Sequence, residues 1–284
     1  MEIKASAPLY VKGLCKNYPS FQLKDVSFTL EAGKITGFIG RNGAGKTTTI
    51  NSVLSLVKPD AGEVLFSGLS DAEHSREIRE KIGFVSAGMT YYTRKKLRSI
   101  TGITKTFYPG WDEKAYREHM ASFGLDEEKT PAELSNGMKI KYALALALSH
   151  GADLLILDKP TSGLDPISRE ELVEVFLKLR DMGKTVFFST HITSDLEKCA
   201  DRILFIRNGE LKADDSLDHF RRSYRILECA GEIPAEVQAH ACGTCRIRDG
   251  YTVLLPEGYA DMPDAREATL EEIMVHLEKE GERA

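Results

Sequence analysis

Long apolar stretches are missing from this 284-residue chain, and a membrane-spanning helix is excluded with them. A span needs about 18 uninterrupted apolar residues. The richest candidate, Tyr142 to Ala152, is short and contains Ser149 and His150. The opening MEIKASAPLY lacks the apolar core of a signal peptide, so no secretory leader is expected. Excess positive charge is absent too. Against 38 Lys and Arg stand 43 Asp and Glu, a formal net charge of -5. Nucleic acid is therefore not an expected partner, because domains that bind it are usually basic. Cysteine is sparse and odd in number, at positions 15, 199, 229, 242 and 245. That excludes a disulfide-built scaffold and points to a reducing, cytosolic compartment. Cys242 and Cys245 form a CxxC near His240. With no second pair to complete a ligand set, it reads as an incidental pair, with zinc or redox chemistry as the alternative. No internal repeat or low-complexity segment is visible.

The remaining composition is that of a globular protein, 29% charged and 42% hydrophobic. The length suffices for one large domain with a small appendage. Alternating segments LYVKGLCKNY and QLKDVSFTL precede the apolar run KITGFIG, a glycine-rich turn and a helical run from Lys46 to Leu56. Strand, glycine loop and helix in that order open a parallel α/β unit. EVLFSG and KIGFVS read as two more strands, with a polar helix near 71–80 between them. A charged helical insertion is expected from about Arg94 to Leu134, broken at Tyr108-Pro109-Gly110. DLLILD, KTVFFST and ADRILFI are nearly all apolar, as strands covered on both faces are. Helices are expected at 166–182 and 193–199, the first started by Pro166 after Asp165. Beyond about Leu217 the texture changes to RILECA, TCRIRD and YTVLLP, then the amphipathic TLEEIMVHLEKEGERA. This tail reads as a small α+β unit.

GRNGAGKTT, comprising Gly40, Arg41, Asn42, Gly43, Ala44, Gly45, Lys46, Thr47 and Thr48, fits G-x-x-x-x-G-K-[ST] between a strand and a helix. Its main-chain N–H groups and the helix start suit a β-phosphate. Lys46 would reach the β and γ oxygens, and the Thr47 hydroxyl would ligate magnesium. About 110 residues later LLILD ends in Asp158, the expected direct or outer partner of that ion.

Taken together, GRNGAGKTT, LSNGMK (134–139), LLILDKPTSGLDP (154–166) and STH (189–191) resemble the ordered motif set of ABC-type ATP-binding subunits, over about residues 9 to 215. The resemblance implies a P-loop α/β core with an antiparallel β subdomain and a helical subdomain. The ABC-type domain would span 1–216, its helical part about 88–150, with a small C-terminal accessory domain at 217–284. It implies ATP and Mg2+ as cofactors. It also implies a membrane permease and a second copy of the chain, or a related subunit, as partners in a head-to-tail dimer. Tyr18 would lie against adenine; a core tyrosine is the other reading. Ser135, Asn136, Gly137 and Met138 would face the γ-phosphate of ATP held by the other subunit. Ser135 can cap a helix starting near Gly137, leaving N–H groups toward an anion. Asp165 would lie in the loop that crosses the dimer, and His191 would contact the γ-phosphate.

Three departures stand out. LSNGM replaces the family's LSGGQ and, with FYPGW (107–111) and the Ala/Leu-rich KIKYALALALSHG, resembles the drug- and peptide-exporter subgroup. Ala87 takes the place of a glutamine that reaches the metal. Lys159 stands where a carboxylate should polarise the attacking water. An ammonium donates hydrogen bonds and accepts none, and attraction to phosphate charge opposes its deprotonation. The expectation is that Lys159 tolerates or strengthens ATP binding and leaves hydrolysis slow. Three readings stay open here, a natural degenerate subunit, an altered active ATPase, or another residue that positions the water.

The leading function is thus an ATP-binding subunit of an exporter, on the inner face of the membrane through a permease. Tyr91, Tyr92 and the bases Arg94 to Lys96 would meet that permease or phospholipid headgroups; a solvated helix start is the alternative. Rival classes are a soluble ABC-type ATP switch and a non-hydrolysing regulatory subunit.

Overall fold

Alternation in the first strands builds a hairpin. β1 (Leu9–Tyr18) turns directly into β2 (Phe21–Leu30), with Tyr18 opposite Phe21. The computed structural model describes residues 6–86, 92–260 and 262–280. After the hairpin come β3 (Ile35–Ile39), helix α1 (Lys46–Val53), β4 (Ala61–Phe66) and β5 (Leu69–Ser70). They are followed by α2 (Asp71–Lys81), β6 (Ile82–Ser86), α3 (Leu97–Thr104), α4 (Glu113–Ser122) and α5 (Asn136–Ser149). Then come β7 (Leu154–Asp158), α6 (Pro166–Asp181), β8 (Thr185–Thr190), α7 (Thr193–Cys199), β9 (Arg202–Arg207) and β10 (Glu210–Ser216). The helix expected to reach Leu56 ends at Val53.

The chain falls into two units, one of residues 1–191 and 204–212, the other of 192–203 and 213–284. In the first, an antiparallel sheet runs β2-β1-β4-β5 and a second sheet runs β10-β9-β3-β8-β7-β6. EVLFSG and KIGFVS, separated by β5 and α2, therefore enter different sheets. β4 is exposed over its first half and takes an antiparallel place, while β6 is largely buried and pairs in parallel with β7. β3, β7 and β8 are buried throughout, as strands covered on both faces must be.

Register decides where chemistry can occur. Ile39 lies opposite Thr190, Asp158 opposite Ser189, and Ser86 opposite Asp158. The carboxyl ends of four strands therefore meet on one edge, where ligands bind in open α/β sheets. Behind that edge Phe28, Phe38 and Phe187 pack at centroid distances of 5.5 to 6.3 Å, tying β2 to β3 and β8. α3, α4 and α5 close over a separate cluster built on Leu97, Ile100, Tyr116, Met120 and Tyr142.

In the second unit, α8 (Leu217–Arg222) leads to β11 (Tyr224–Ala230), α9 (Ala235–Gln238), β12 (Gly243–Ile247), β13 (Gly250–Pro256), β14 (Arg266–Glu267) and α10 (Leu270–Glu280). The strands form an antiparallel sheet in the order β12-β13-β11-β14. The Leu270 N–H at the start of α10 donates to Glu197 of α7 at 3.0 Å. No helix among the described residues is long and apolar enough to cross a membrane.

Phe187 has no exposed surface and touches both other rings. Phe187→Ala should therefore lower unfolding stability by about 3–5 kcal/mol, seen as a lower urea midpoint with an unchanged slope.

Candidate functional site

The loop after β3 is shaped by close approaches. A Cβ on Gly40 would lie 2.3 Å from the Ile206 carbonyl oxygen of β9, so a side chain there would push the loop off the sheet. Gly45 has a φ of 116°, and a Cβ there would lie 2.9 Å from the Phe21 ring. α1 starts at this glycine with no side-chain cap. Helices normally close their first N–H groups with a Ser, Thr, Asp or Asn side chain. Here no side chain takes that place, and the helix dipole favours negative charge there. Arg41, Asn42 and Gly43 are exposed around the opening, and Ala44, Gly45 and Lys46 are buried beneath it.

Lys46 folds its ammonium onto the loop it serves, donating to the carbonyls of Gly40 and, at 2.9 Å, Arg41. One residue on, the half-buried Thr47 donates its hydroxyl to Asp158 Oδ2 at 3.0 Å. Thr48 is half-buried beside it. Asp158, 7% exposed at the end of β7, takes a second hydrogen bond on Oδ1 from Ser189 of β8 at 2.6 Å. The Ser189 oxygen in turn accepts the Lys159 N–H at 3.0 Å. One hydroxyl thus holds the carboxylate and the next backbone amide together.

A magnesium nucleotide fits this donor set. Hydroxyl and carboxylate oxygens are the hard ligands magnesium takes, and it uses few protein ligands beside phosphate oxygens and water. Among the described residues no group of three or more His, Cys, Asp or Glu able to hold a metal is found. All five cysteines are free thiols, Cys242 half-buried and Cys245 buried.

Lys159 is the first residue beyond β7, half-buried, with φ of 54°. A left-handed conformation at a non-glycine residue stores about 1–3 kcal/mol and gathers at functional sites. His191 is the first residue beyond β8 and is exposed. Tyr18, at the end of β1, is 40% exposed with the Lys16 ammonium 5.7 Å from its ring centroid. It is not a core tyrosine. Ala87 and Tyr91 lie outside the described residues.

A second constellation forms where α5 and α6 begin. The exposed Ser135 caps α5 by accepting the Met138 N–H at 3.2 Å, with Asn136 exposed and Met138 half-buried. Gly137 is buried, and a Cβ there would stand 3.4 Å from Ser168 Cβ, so the two helix starts touch. Asp165 caps α6 by accepting the Ile167 and Ser168 N–H groups, each at 3.0 Å. Ser189 and Ser168 had no assigned role in the sequence. Ser189 was visible as a polar residue in an otherwise apolar strand, but only strand register sets it beside Asp158.

With this geometry in place, likeness to known proteins is informative. A family model described as ABC transporter matches residues 23–162. The bacitracin transport ATP-binding protein BcrA of Bacillus licheniformis is 35% identical over 75% of this chain and 71% of its own length. The ABC transporter ATP-binding protein YtrB of Bacillus subtilis is 27% identical over 83% of this chain and 82% of its own. A solved ATP-binding subunit of an ABC transporter is 30% identical, covers 75% of this chain and 92% of its own, and superposes with a TM-score of 0.68. The cassette MJ0796, solved as a dimer bound to ADP and Pi, is 26% identical with a TM-score of 0.61, covering 74% of this chain and 98% of its own.

Removing the Ser189 hydroxyl leaves Asp158 Oδ1 without that partner and frees the Lys159 amide. Ser189→Ala should weaken nucleoside triphosphate binding about tenfold in magnesium while leaving binding in EDTA unchanged. Calorimetric titration under both conditions measures the two values.

Proposed function

The chain belongs to the ABC transporter family as an ATP-binding subunit, and from that premise we propose that it serves an exporter, closing as a dimer over Mg-ATP and driving a separate permease. The observation that carries this reading is the Thr47–Asp158–Ser189 hydrogen-bond set beside an uncapped helix at a glycine loop. The printed names of two relatives point to a drug or peptide as the cargo, the kind of substrate an exporter carries. BcrA is named for bacitracin transport, and YbhF of Escherichia coli, 34% identical over 74% of this chain, for probable multidrug transport.

Each residue has a task in that reading. The amides of Gly43 to Thr48 and the Lys46 ammonium receive the phosphate oxygens. Lys46 leaves its two carbonyl partners to do so, exchanging neutral acceptors for charged ones. Thr47 and Asp158 hold the ion that, when bound, neutralises charge on the β and γ oxygens. Tyr18 offers an exposed ring to adenine. Ser135, Asn136, Gly137 and Met138 meet the γ-phosphate held by the partner subunit, and Asp165 sits at the crossing between the two. His191 approaches the γ-phosphate from the neighbouring strand.

A permease finds a ready surface. An apolar groove of about 330 Å³ is lined by Leu54, Leu56, Phe84, Thr104, Tyr108 and His150, among others. Leu56, Ile103 and Phe107 are 57%, 54% and 70% exposed. Large apolar side chains left so open suit an amphipathic helix of a partner.

Lys159 favours a variant of this reading in which the subunit binds ATP and turns it over slowly. Its amide is fixed by Ser189, and its side chain carries the wrong charge to polarise water. Lys159→Glu should raise the single-turnover rate about a hundred- to ten-thousand-fold, with ATP affinity little changed. Equal rates in the two proteins refute the role given to the lysine. Capture of the chain from membranes should bring down a multi-span protein; its absence counts against transport.

A further inference from the structure

Three hydroxyl groups are sealed inside the cluster formed by α3, α4 and α5, where apolar side chains would pack without any hydrogen-bonding demand. Thr101, Tyr116 and Tyr142 are 4%, 1% and 0% exposed. Thr101 Oγ1 lies 2.9 Å from the Tyr116 hydroxyl and 2.9 Å from that of Tyr142, and Tyr142 donates to the Leu97 carbonyl at 3.1 Å. A carbonyl only accepts, and each hydroxyl has one proton, so Tyr142 donates to Leu97 and Thr101 donates to Tyr142. The Tyr116 hydroxyl meets both Thr101 and the Glu127 carboxylate. Burial pushes the Tyr142 phenol up to about 12 and raises that of Tyr116 further, so both remain donors.

The two ends of this chain are informative. Tyr142 stands seven residues, two turns, beyond Ser135 on α5, and so lies on the same side of the helix as the cap. Leu97 begins α3, directly after the exposed segment 92–96. That helix start is itself fastened. The Leu97 N–H donates to the Lys129 carbonyl at 2.9 Å, and Lys96 and Arg98 each pair with Glu128 at 2.7 Å. Further along α5, Ala147 packs on β6 so closely that a Cβ on Gly83 would come within 2.6 Å of it. Apolar contacts alone let a helix rotate a few degrees about its axis. Directional hydrogen bonds do not.

We propose that Thr101 is a positioning residue: through Tyr142 it sets the rotation of α5, and with it the aim of the Ser135–Met138 turn, relative to the segment that leads into Leu97. This rests on the proposed dimer, since the turn acts on ATP held by the partner subunit. Thr101 touches neither nucleotide nor the phosphate loop, so its effect belongs to closure and not to the chain's own ATP affinity.

The test compares Thr101→Val, which keeps the shape and removes the bridge, with Thr101→Ser, which keeps the hydroxyl. Sedimentation of the full chain in Mg-ATP gives the dimer constant, and titration of dilute monomer gives ATP affinity. Thr101→Val should weaken the Mg-ATP dimer about tenfold, with monomer affinity for ATP unchanged and Thr101→Ser restoring the dimer. Tyr142→Phe should match Thr101→Val. A Thr101→Val protein that dimerises like the natural chain overturns the inference. So does one that loses ATP affinity in step with dimerisation, because that marks general damage to the fold. If the natural chain binds Mg-ATP yet stays monomeric, the dimer reading fails and this inference with it.

Discussion

A buried carboxylate with both oxygens engaged is the constraint on which the nucleotide end of this chain depends. Asp158 is almost fully enclosed, and an isolated charge in such a place is costly unless hydrogen bonds replace its water. Thr47 and Ser189 supply them from two different strand-end neighbourhoods. The same bonds therefore fix α1 against β7 and β7 against β8. Register does the rest, since Asp158 faces Ser189 only when β7 and β8 pair as they do. A shift of one residue would turn every buried side chain of β7 to its opposite face. Packing of the core and placement of the Asp158 carboxylate are thus one requirement.

That coupling explains why Lys159 can be accommodated. Its backbone belongs to the structure, held in a left-handed turn by Ser189, while its side chain is half-buried beside the strand end. Under the proposed function, Asp158 serves binding and its neighbour bears on turnover, so that the two are separable in one short segment.

Much of this was legible in the residues themselves. GRNGAGKTT between an apolar strand and a helix can hardly be read otherwise, because each glycine answers a steric demand that the structure displays at Gly40 and Gly45. Asp165 before Pro166 announced the start of α6, and Ser135 caps α5 as expected, the helix beginning one residue earlier, at Asn136. What stayed hidden was non-local. The sheet membership of β4 and β6 depends on which face each strand buries against distant partners. β10 was missed because ELKADDS carries no apolar alternation. Its existence follows from the turn at Asn208 and Gly209, with φ of 51° and 78°. Asn-Gly is the strongest short hairpin signal and was available in the sequence. The Ser189 role, set by register alone, was not.

The three helix starts near the site divide the work by how they are capped. α1 begins at a glycine and has no side-chain cap. α6 begins at Asp165, whose carboxyl is held below its ordinary range first by the Ser168 hydroxyl and then by backbone amides. A group depressed in this way is ionised well below neutral pH, so α6 carries its own anion and has no capacity for another. α5 lies against α6 at Gly137 and Ser168 but is capped by a neutral hydroxyl that engages one amide, that of Met138. Of two adjacent helix starts, only α5 can therefore present uncompensated positive potential to an incoming phosphate. The contrast between serine and aspartate, thirty residues apart in sequence and capping helices that meet at Gly137 and Ser168, gives the second surface its direction.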